Sequence, residues 1–325
     1  EDGAIAAVTA RQHGDLTADL FIDCTGFRAT LIGETMGSEF TSYKNELFCD
    51  RAVALQVPYE QAGGPIPSCT YTTAKDYGWI WDIGLHERRG LGYVYSSKYC
   101  DEETAVATLK AHIGPAADKL QHRLLKFEPG YRKTQWHKNC VGIGLSVGFI
   151  EPLEATGISF AEVAALMLCN LFPWSGDYER SATQFNNAMS KRFEHVKDFI
   201  KLHYYLTERD DTAFWRDNQD PATASEYLKG KLEQWRHRPP SFLDIDASHD
   251  IFDENTPIDP NGDMNYGFQA MAANMRGFEQ NVRNGNNFAL INAELRLPVF
   301  SYFINRPIQS DFLRNFQVIG FGDVG

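Results

Sequence analysis

The sequence predicts a mixed α/β (α+β) fold with a substantial antiparallel sheet, followed by a β-rich tail. Three observations predict it. Runs at 51–57, 67–73, 78–83 and 91–96 have strand composition, and the last two are joined by a polar turn at 86–90. Segments 101–112, 158–171, 178–206 and 222–236 read as helices. Near residue 248 the composition changes: Lys231 is the last lysine, Cys169 the last cysteine, and asparagine becomes frequent.

Bulk properties narrow the function classes. The 325 residues, 43% hydrophobic and 23% charged, suit one large globular domain or two ordinary ones. A net charge of −12 without a basic run argues against nucleic acid as a partner. Cysteines 24, 49, 69, 100, 140 and 169 are widely spaced and form no metal-ligand cluster. They are expected to be reduced, mostly buried thiols of a cytoplasmic protein. No uninterrupted apolar run of about 18 residues predicts a membrane-spanning helix.

Taken in order, the chain opens in a hairpin. Val8 is expected to end one strand, 12–15 to turn, and Ala18 to Cys24 to form the next. An edge strand met so early suggests preceding sequence. The run "ADLFIDC" is nearly all apolar and stops at Thr25-Gly26, as a buried strand delivering a turn would. Gly26 either lets backbone approach a ligand closely or simply makes the turn. In "GWIWDIGL", Trp79 and Trp81 share one strand face, either filling a core or walling a cavity, and Asp82 points away. Asp101, Glu102 and Glu103 mark a helix start.

Strand 139–145 leads into "VGIGLSVGFIEPLEATGI", 141–158. Gly142, Gly144 and Gly148 permit close approach of backbone to a ligand. Glu151 and Glu154 flank Pro152-Leu153; one suits a structural carboxylate and the other can face a cavity. The alternative is a capped helix start with surface glutamates. The following helix, 158–171, is apolar on most faces and is expected to be buried all round. Its N-terminus would present unpaired amides to an anion or an electron-rich cofactor edge. His203 with Glu208, Asp210 and Asp211 reads as a helix end and polar loop rather than a metal site. No HExxH or Walker pattern is present.

In the tail, Ala289, Ile291, Ala293, Leu295, Leu297 and Val299 alternate with Asn292, Glu294 and Arg296, and 316–325 reads as another strand. Such alternation suits a half-exposed soluble strand or a membrane-barrel strand.

Several segments together, "ADLFIDCTGF", "LFCDRAVALQVP", "YTTAKDYGWIWDI", "GYVYSSKY", "FEPGYRKTQWHKNCVGIGLSVGFIEPLEATGI" and "FIKLHYYLTERDDTAFWRDN", resemble the flavin-dependent tryptophan-halogenase family over about residues 1–248. The resemblance implies part of a flavin-monooxygenase-like FAD-binding module with a helical substrate module. It implies reduced FAD, O2, and chloride or bromide as reactants, a separate flavin reductase as partner, and a small electron-rich aromatic substrate, tryptophan or indole-like. Hypohalous acid would reach that substrate through a tunnel. Trp79 and Trp81 would lie beside the flavin; Thr156 and Gly157 match the halide-holding positions; Glu154 matches the catalytic glutamate on the substrate side. Gly26, Gly142, Gly144 and Gly148 match FAD-contacting turns. Ala155 stands where the family usually has serine, and Gly84 where it has proline. The family's glycine-rich loop and catalytic lysine are expected ahead of Asp23, yet the 22 residues there contain no lysine, so the chain as given is expected to be incomplete or inactive. Residues 249–325 resemble the C-terminal strands of the outer-membrane surface-antigen, barrel-assembly family, with Arg276-Gly277-Phe278 matching its "RGF" motif. A flavoenzyme joined to membrane-barrel strands suggests a composite sequence with its junction at about 246–255, and membrane association only if the tail is a true barrel segment.

Overall fold

The computed structural model describes residues 3–59, 66, 67, 69–173, 175–238, 240–244 and 246, together with strands at 257–258, 266–267, 291–298 and 317–324. In chain order the first strands are β1 (Val8–Ala10), β2 (Gly14–Leu16), β3 (Phe21–Asp23), β4 (Phe40–Ser42), β5 (Arg51–Pro58), β6 (Tyr71–Lys75), β7 (Gly78–Gly84) and β8 (Arg88–Tyr95). Helix α1 (Glu102–Ile113) follows, then β9 (Arg123–Lys126), β10 (Gly130–Arg132), β11 (Trp136–His137), β12 (Cys140–Gly142) and β13 (Gly148–Phe149). Four helices come next: α2 (Thr156–Leu171), α3 (Glu179–Tyr205), α4 (Ala213–Asn218) and α5 (Glu226–Trp235). Beyond them lie β14 (Pro257–Ile258), β15 (Tyr266–Gly267), β16 (Ile291–Pro298) and β17 (Gln317–Val324).

The main sheet is antiparallel in the order β6-β7-β8-β5-β9. Side chains alternate across it, and both faces are covered. Val53, Leu55, Ile80, Leu91 and Tyr93 pack with Ala105 and Leu109 of α1. Ala52, Trp79 and Val94 belong to the other core, with Trp81 packed against it and residues of α2 and α3 contributing. Asp101 caps α1 as expected, accepting from the Thr104 amide at 2.8 Å, an arrangement worth about 1 kcal/mol. Two smaller sheets, β11-β12-β3 and β13-β10-β4, carry the loops around the candidate site. A stack of rings joins three elements: Phe160 of α2 lies on Phe193 of α3 at 4.1 Å, and Phe193 lies on Tyr131 of β10 at 4.9 Å.

Three expectations change. The segment 18–24 is not one buried strand. Leu16 ends β2, which pairs with β1, while Phe21–Asp23 pairs in parallel with β12. Only Phe21 and Asp23 point inward, and Ile22 is half exposed, because β3 lies at its sheet's edge. Helix α2 is not buried all round and begins two residues early. Thr156, Phe160, Ala164 and Leu168, each four apart, face the core, whereas Ile158 is 81% and Leu166 58% exposed. Apolarity on every face does not decide which face is covered; here the Thr156 row is buried, Val163, Met167 and Leu171 pack partly against the same core, and the opposite face is open. Finally, Leu153–Leu171 is long and apolar enough, by length and composition, to cross a membrane. Counting uninterrupted apolar residues missed it because Glu154 and Glu162 break the run without greatly lowering its mean hydropathy.

The chain divides into two compact units, Glu1–Arg276 and Gly277–Gly325. In the second, β16 and β17 pair antiparallel from Ile291↔Val324 to Pro298↔Gln317. Ala289, Val299 and the Arg276-Gly277-Phe278 motif lie outside the described residues.

Trp81 sits flat on Gly92, its cross-strand partner. A β-carbon at Gly92 would collide with the indole, whereas one at Gly90 would meet only Leu85 at 3.9 Å. Gly92→Ala is therefore expected to cost about 1–3 kcal/mol and to shift tryptophan emission, measured by thermal unfolding and fluorescence. Gly90→Ala should leave the emission unchanged.

Candidate active site

The site is organised around the turn that enters α2. Glu154 (φ 65°, ψ 5°) and Ala155 (φ 51°, ψ 31°) are consecutive non-glycine residues in the left-handed region. Each such residue costs about 1–3 kcal/mol. The Ala155 amide donates to the Pro152 carbonyl at 2.9 Å, closing the turn. Ala155 occupies the N-cap position, and no side chain caps the helix. Thr156 is buried and Gly157 half-buried, so the first-turn amides lie at the edge of the core. A helix terminus of this kind favours negative charge.

Consecutive residues of α3 hold the two glutamates. Nε2 of His203 lies 3.1 Å from Glu154 Oε1. The Tyr204 hydroxyl donates to Glu151 Oε1 at 2.7 Å, and Trp79 Nε1 donates to the same oxygen at 3.3 Å. Sγ of Cys49 approaches the Tyr204 hydroxyl at 3.5 Å. Glu151 is buried, and its Oε2 has no hydrogen-bond partner. Burial pushes the Glu151 carboxyl up to about 7, against the opposing hydrogen bonds from Tyr204 and Trp79 and the charges of His203 and Lys201. Lys201, also buried, is lowered to about 7 by desolvation. Its ammonium lies 3.2 Å from Asn218 Oδ1 and 5.2 Å from the centre of the Phe48 ring. The sequence left open which glutamate is structural; the geometry makes it Glu151, while the Glu154 side chain keeps 27% exposure.

The four glycines separate into two kinds. Gly26 (φ 70°) and Gly144 (φ 72°) have left-handed backbone, and a β-carbon at either would enter essentially open space. Gly142 and Gly148 are crowded by the protein itself: a β-carbon would strike Val147 at Gly142, and the Gly130 carbonyl and Tyr131 at Gly148. Backbone conformation accounts for glycine at the first pair, and internal packing at the second. Asp23, fully buried, shapes the Gly26 turn by accepting from the amides of Thr25, Leu31 and Ile32 and from the Thr25 hydroxyl. Although burial acts to raise it, these donors hold its carboxyl below the ordinary range.

A cleft of about 480 Å³ opens beside the glycine loop. Phe27, Phe149, Ser146 and Gly148 line it, with Lys44, Arg51, Lys126 and Arg132 supplying positive charge. Its lining includes neither indole, nor Thr156 or Gly157. The Phe149 ring is the link, since it lies 3.9 Å from where a Gly157 side chain would begin.

Residues 1–267 match the tryptophan halogenase family. The chain belongs to that family. Tryptophan 6-halogenase SttH of Streptomyces toxytricini is 40% identical over 238 residues, which are 73% of this chain and 45% of SttH. Tryptophan 7-halogenase RebH of Lentzea aerocolonigenes is 35% identical over 72% of this chain and 44% of its own. The crystal structure of the tryptophan halogenase from Shewanella frigidimarina superposes with a TM-score of 0.76 at 37% identity, covering 87% of this chain and 52% of that one. This halogenase-family chain thus spans about half the length of the relatives it matches. The match extends past residue 248, where composition placed the boundary.

The structure brings Trp79 onto Glu151, and Glu154, Thr156 and Gly157 onto one turn. Trp81 sits beside Trp79, ring centres 6.2 Å apart. Sequence reasoning missed Cys49, Lys201 and Tyr204, and it assigned His203 to a polar helix end. No local signal marks them, because the contacts span tens of residues in sequence.

The Glu151 carboxyl is raised in the folded protein, so its contribution is fully present below the ordinary glutamate range and is lost as pH rises through about 7. Glu151→Gln carries no such penalty. Thermal unfolding should show the variant gaining on wild type between pH 5 and pH 8, by up to about 3 kcal/mol. A pH-independent difference would contradict the assignment.

Proposed function

We propose that the protein takes part in flavin-dependent halogenation of a small electron-rich aromatic, tryptophan or an indole-like compound, using FAD, O2 and chloride or bromide. A separate flavin reductase would supply the reduced cofactor. The observation that carries this reading is the uncapped, left-handed entry to α2, which leaves helix amides available to an anion next to a carboxylate. Family membership supports it.

The residues present fit a flavin nucleotide. Open, left-handed Gly26 and Gly144 form a cradle that a side chain would fill. The neighbouring cleft is aromatic and carries four cationic side chains against one carboxylate, Glu128, which suits an anionic aromatic ligand. When bound, reduced FAD would supply two electrons to O2 and the halide the other two, so that O2 is reduced to water while the halide becomes an electrophilic halogen. The protein's own part is placement. Amides at Thr156 and Gly157 attract the halide. Trp79, pinned by Glu151, and Trp81, seated on Gly92, form an apolar wall that keeps water from that side. Glu154, exposed on the same turn, orients a proton-bearing group or accepts a proton as the aromatic ring is substituted. Alanine at 155 leaves the halide to backbone amides alone.

With a flavin reductase, FAD, O2 and bromide, the protein is expected to convert tryptophan or another indole to a monobrominated product with the bromine isotope doublet. Glu154→Gln should lower kcat about 100-fold and change KM for the indole by less than about threefold. Absence of halogenated product across indole substrates would reject the reading.

A further inference from the structure

His203 contacts two acceptors at once. Nδ1 lies 3.0 Å from the Phe199 carbonyl, one turn back in α3. A carbonyl only accepts, so Nδ1 carries a hydrogen. A neutral imidazole with Nδ1–H has a bare lone pair on Nε2. Yet Nε2 lies 3.1 Å from Glu154 Oε1, and a carboxylate also only accepts. Two lone pairs do not hold a contact of this length. One more proton must lie between them.

The imidazole is 5% exposed and packs edge-on against the Phe199 ring at 5.0 Å. Its orientation is therefore fixed from both sides. The other titratable groups near the pair are Glu151, three residues before Glu154, Lys201 on the same helix, and Tyr204 beside it. Tyr204 is committed to Glu151, and Lys201 to Asn218. His203 is thus the group that faces Glu154.

We infer that His203 is a positioning residue for Glu154: it holds the extra proton as an imidazolium, and through that charge-assisted hydrogen bond it fixes the carboxylate on its left-handed turn. With the proton on the ring, Nε2 donates along the observed contact to Glu154 while Nδ1 keeps its donation to the Phe199 carbonyl. The bond supports a backbone conformation that Glu154 would otherwise leave. The inference rests on the proposed role of Glu154 only for its catalytic consequence, since the proton placement stands on the donor and acceptor count.

Two measurements test it. The first is a long-range nitrogen–proton correlation spectrum at pH 6 of protein labelled with ¹⁵N-histidine, with the His203 signals assigned by their loss in His203→Asn. Wild type should show both ring nitrogens protonated. In Glu154→Gln the side-chain amide can donate into Nε2, and the ring should revert to the neutral Nδ1–H form. The same protonation state in both proteins would overturn the proton placement. The second compares His203→Gln, which keeps a donor toward Glu154, with His203→Phe, which keeps volume only. Thermal unfolding of each verifies folding. His203→Phe should lower kcat for halogenation at least tenfold with KM nearly unchanged, and His203→Gln should recover most of the loss. Equal defects in the two variants would overturn the positioning role. If wild type halogenates nothing, the proposed function fails, while the spectra still decide where the proton lies.

Discussion

The arrangement depends on a strained backbone held by buried side chains. Glu154 and Ala155 both occupy the left-handed region, at a combined cost of several kcal/mol. Such a turn persists only where its surroundings over-determine it. Here the Pro152 carbonyl closes it, His203 grips Glu154, and Tyr204 and Trp79 grip Glu151 three residues earlier. Hydrogen bonds to charged or partly charged groups contribute about 1.5–3 kcal/mol each, enough to offset the strain. The strain leaves α2 starting without a capping side chain, and with its first amides unclaimed by one.

That clamp extends into the rest of the fold. Tyr204 packs on Phe214 and Trp215 at 5.9 Å, tying α4 to the end of α3. Trp79 carries the connection into the main sheet, where its neighbour Trp81 rests on Gly92. Further along, Phe160, Phe193 and Tyr131 join α2, α3 and β10 in one stack. The two indoles, the two glutamates and the helix entry are thus parts of one packed unit. Burial is also what moves Glu151 and Lys201 toward neutrality, since the unit leaves them little water.

Much of this was legible in the sequence because it is local. Strand alternation gave β5, β7 and β8 to within a few residues, and in the tail it located Ile291–Pro298 and Gln317–Val324. Asp101 announced α1. The glycine, proline and glutamate pattern at 142–157 pointed to the turn that enters α2. What the sequence hid is pairwise and distant. That His203 meets Glu154 and Tyr204 meets Glu151 requires α3 to fold back over a turn some fifty residues earlier. The one-sided burial of α2 was hidden for a related reason: its apolar residues do not record which row finds a partner. Gly142 and Gly148 read as ligand-facing, and the structure shows a further reason for their missing side chains, since Val147 and Gly130 crowd those positions. A collision inside the protein and an approach to a ligand leave the same residue in the sequence.

The chain belongs to the tryptophan halogenase family and spans about half the length of its relatives. The account stands or falls on whether the α2 entry receives an anion. Anomalous diffraction from crystals of the protein soaked in bromide measures that directly. The account predicts a bromide peak within hydrogen-bond distance of the Thr156 and Gly157 amides. Well-ordered amides there with no bromide, alongside peaks elsewhere on the protein, would contradict it.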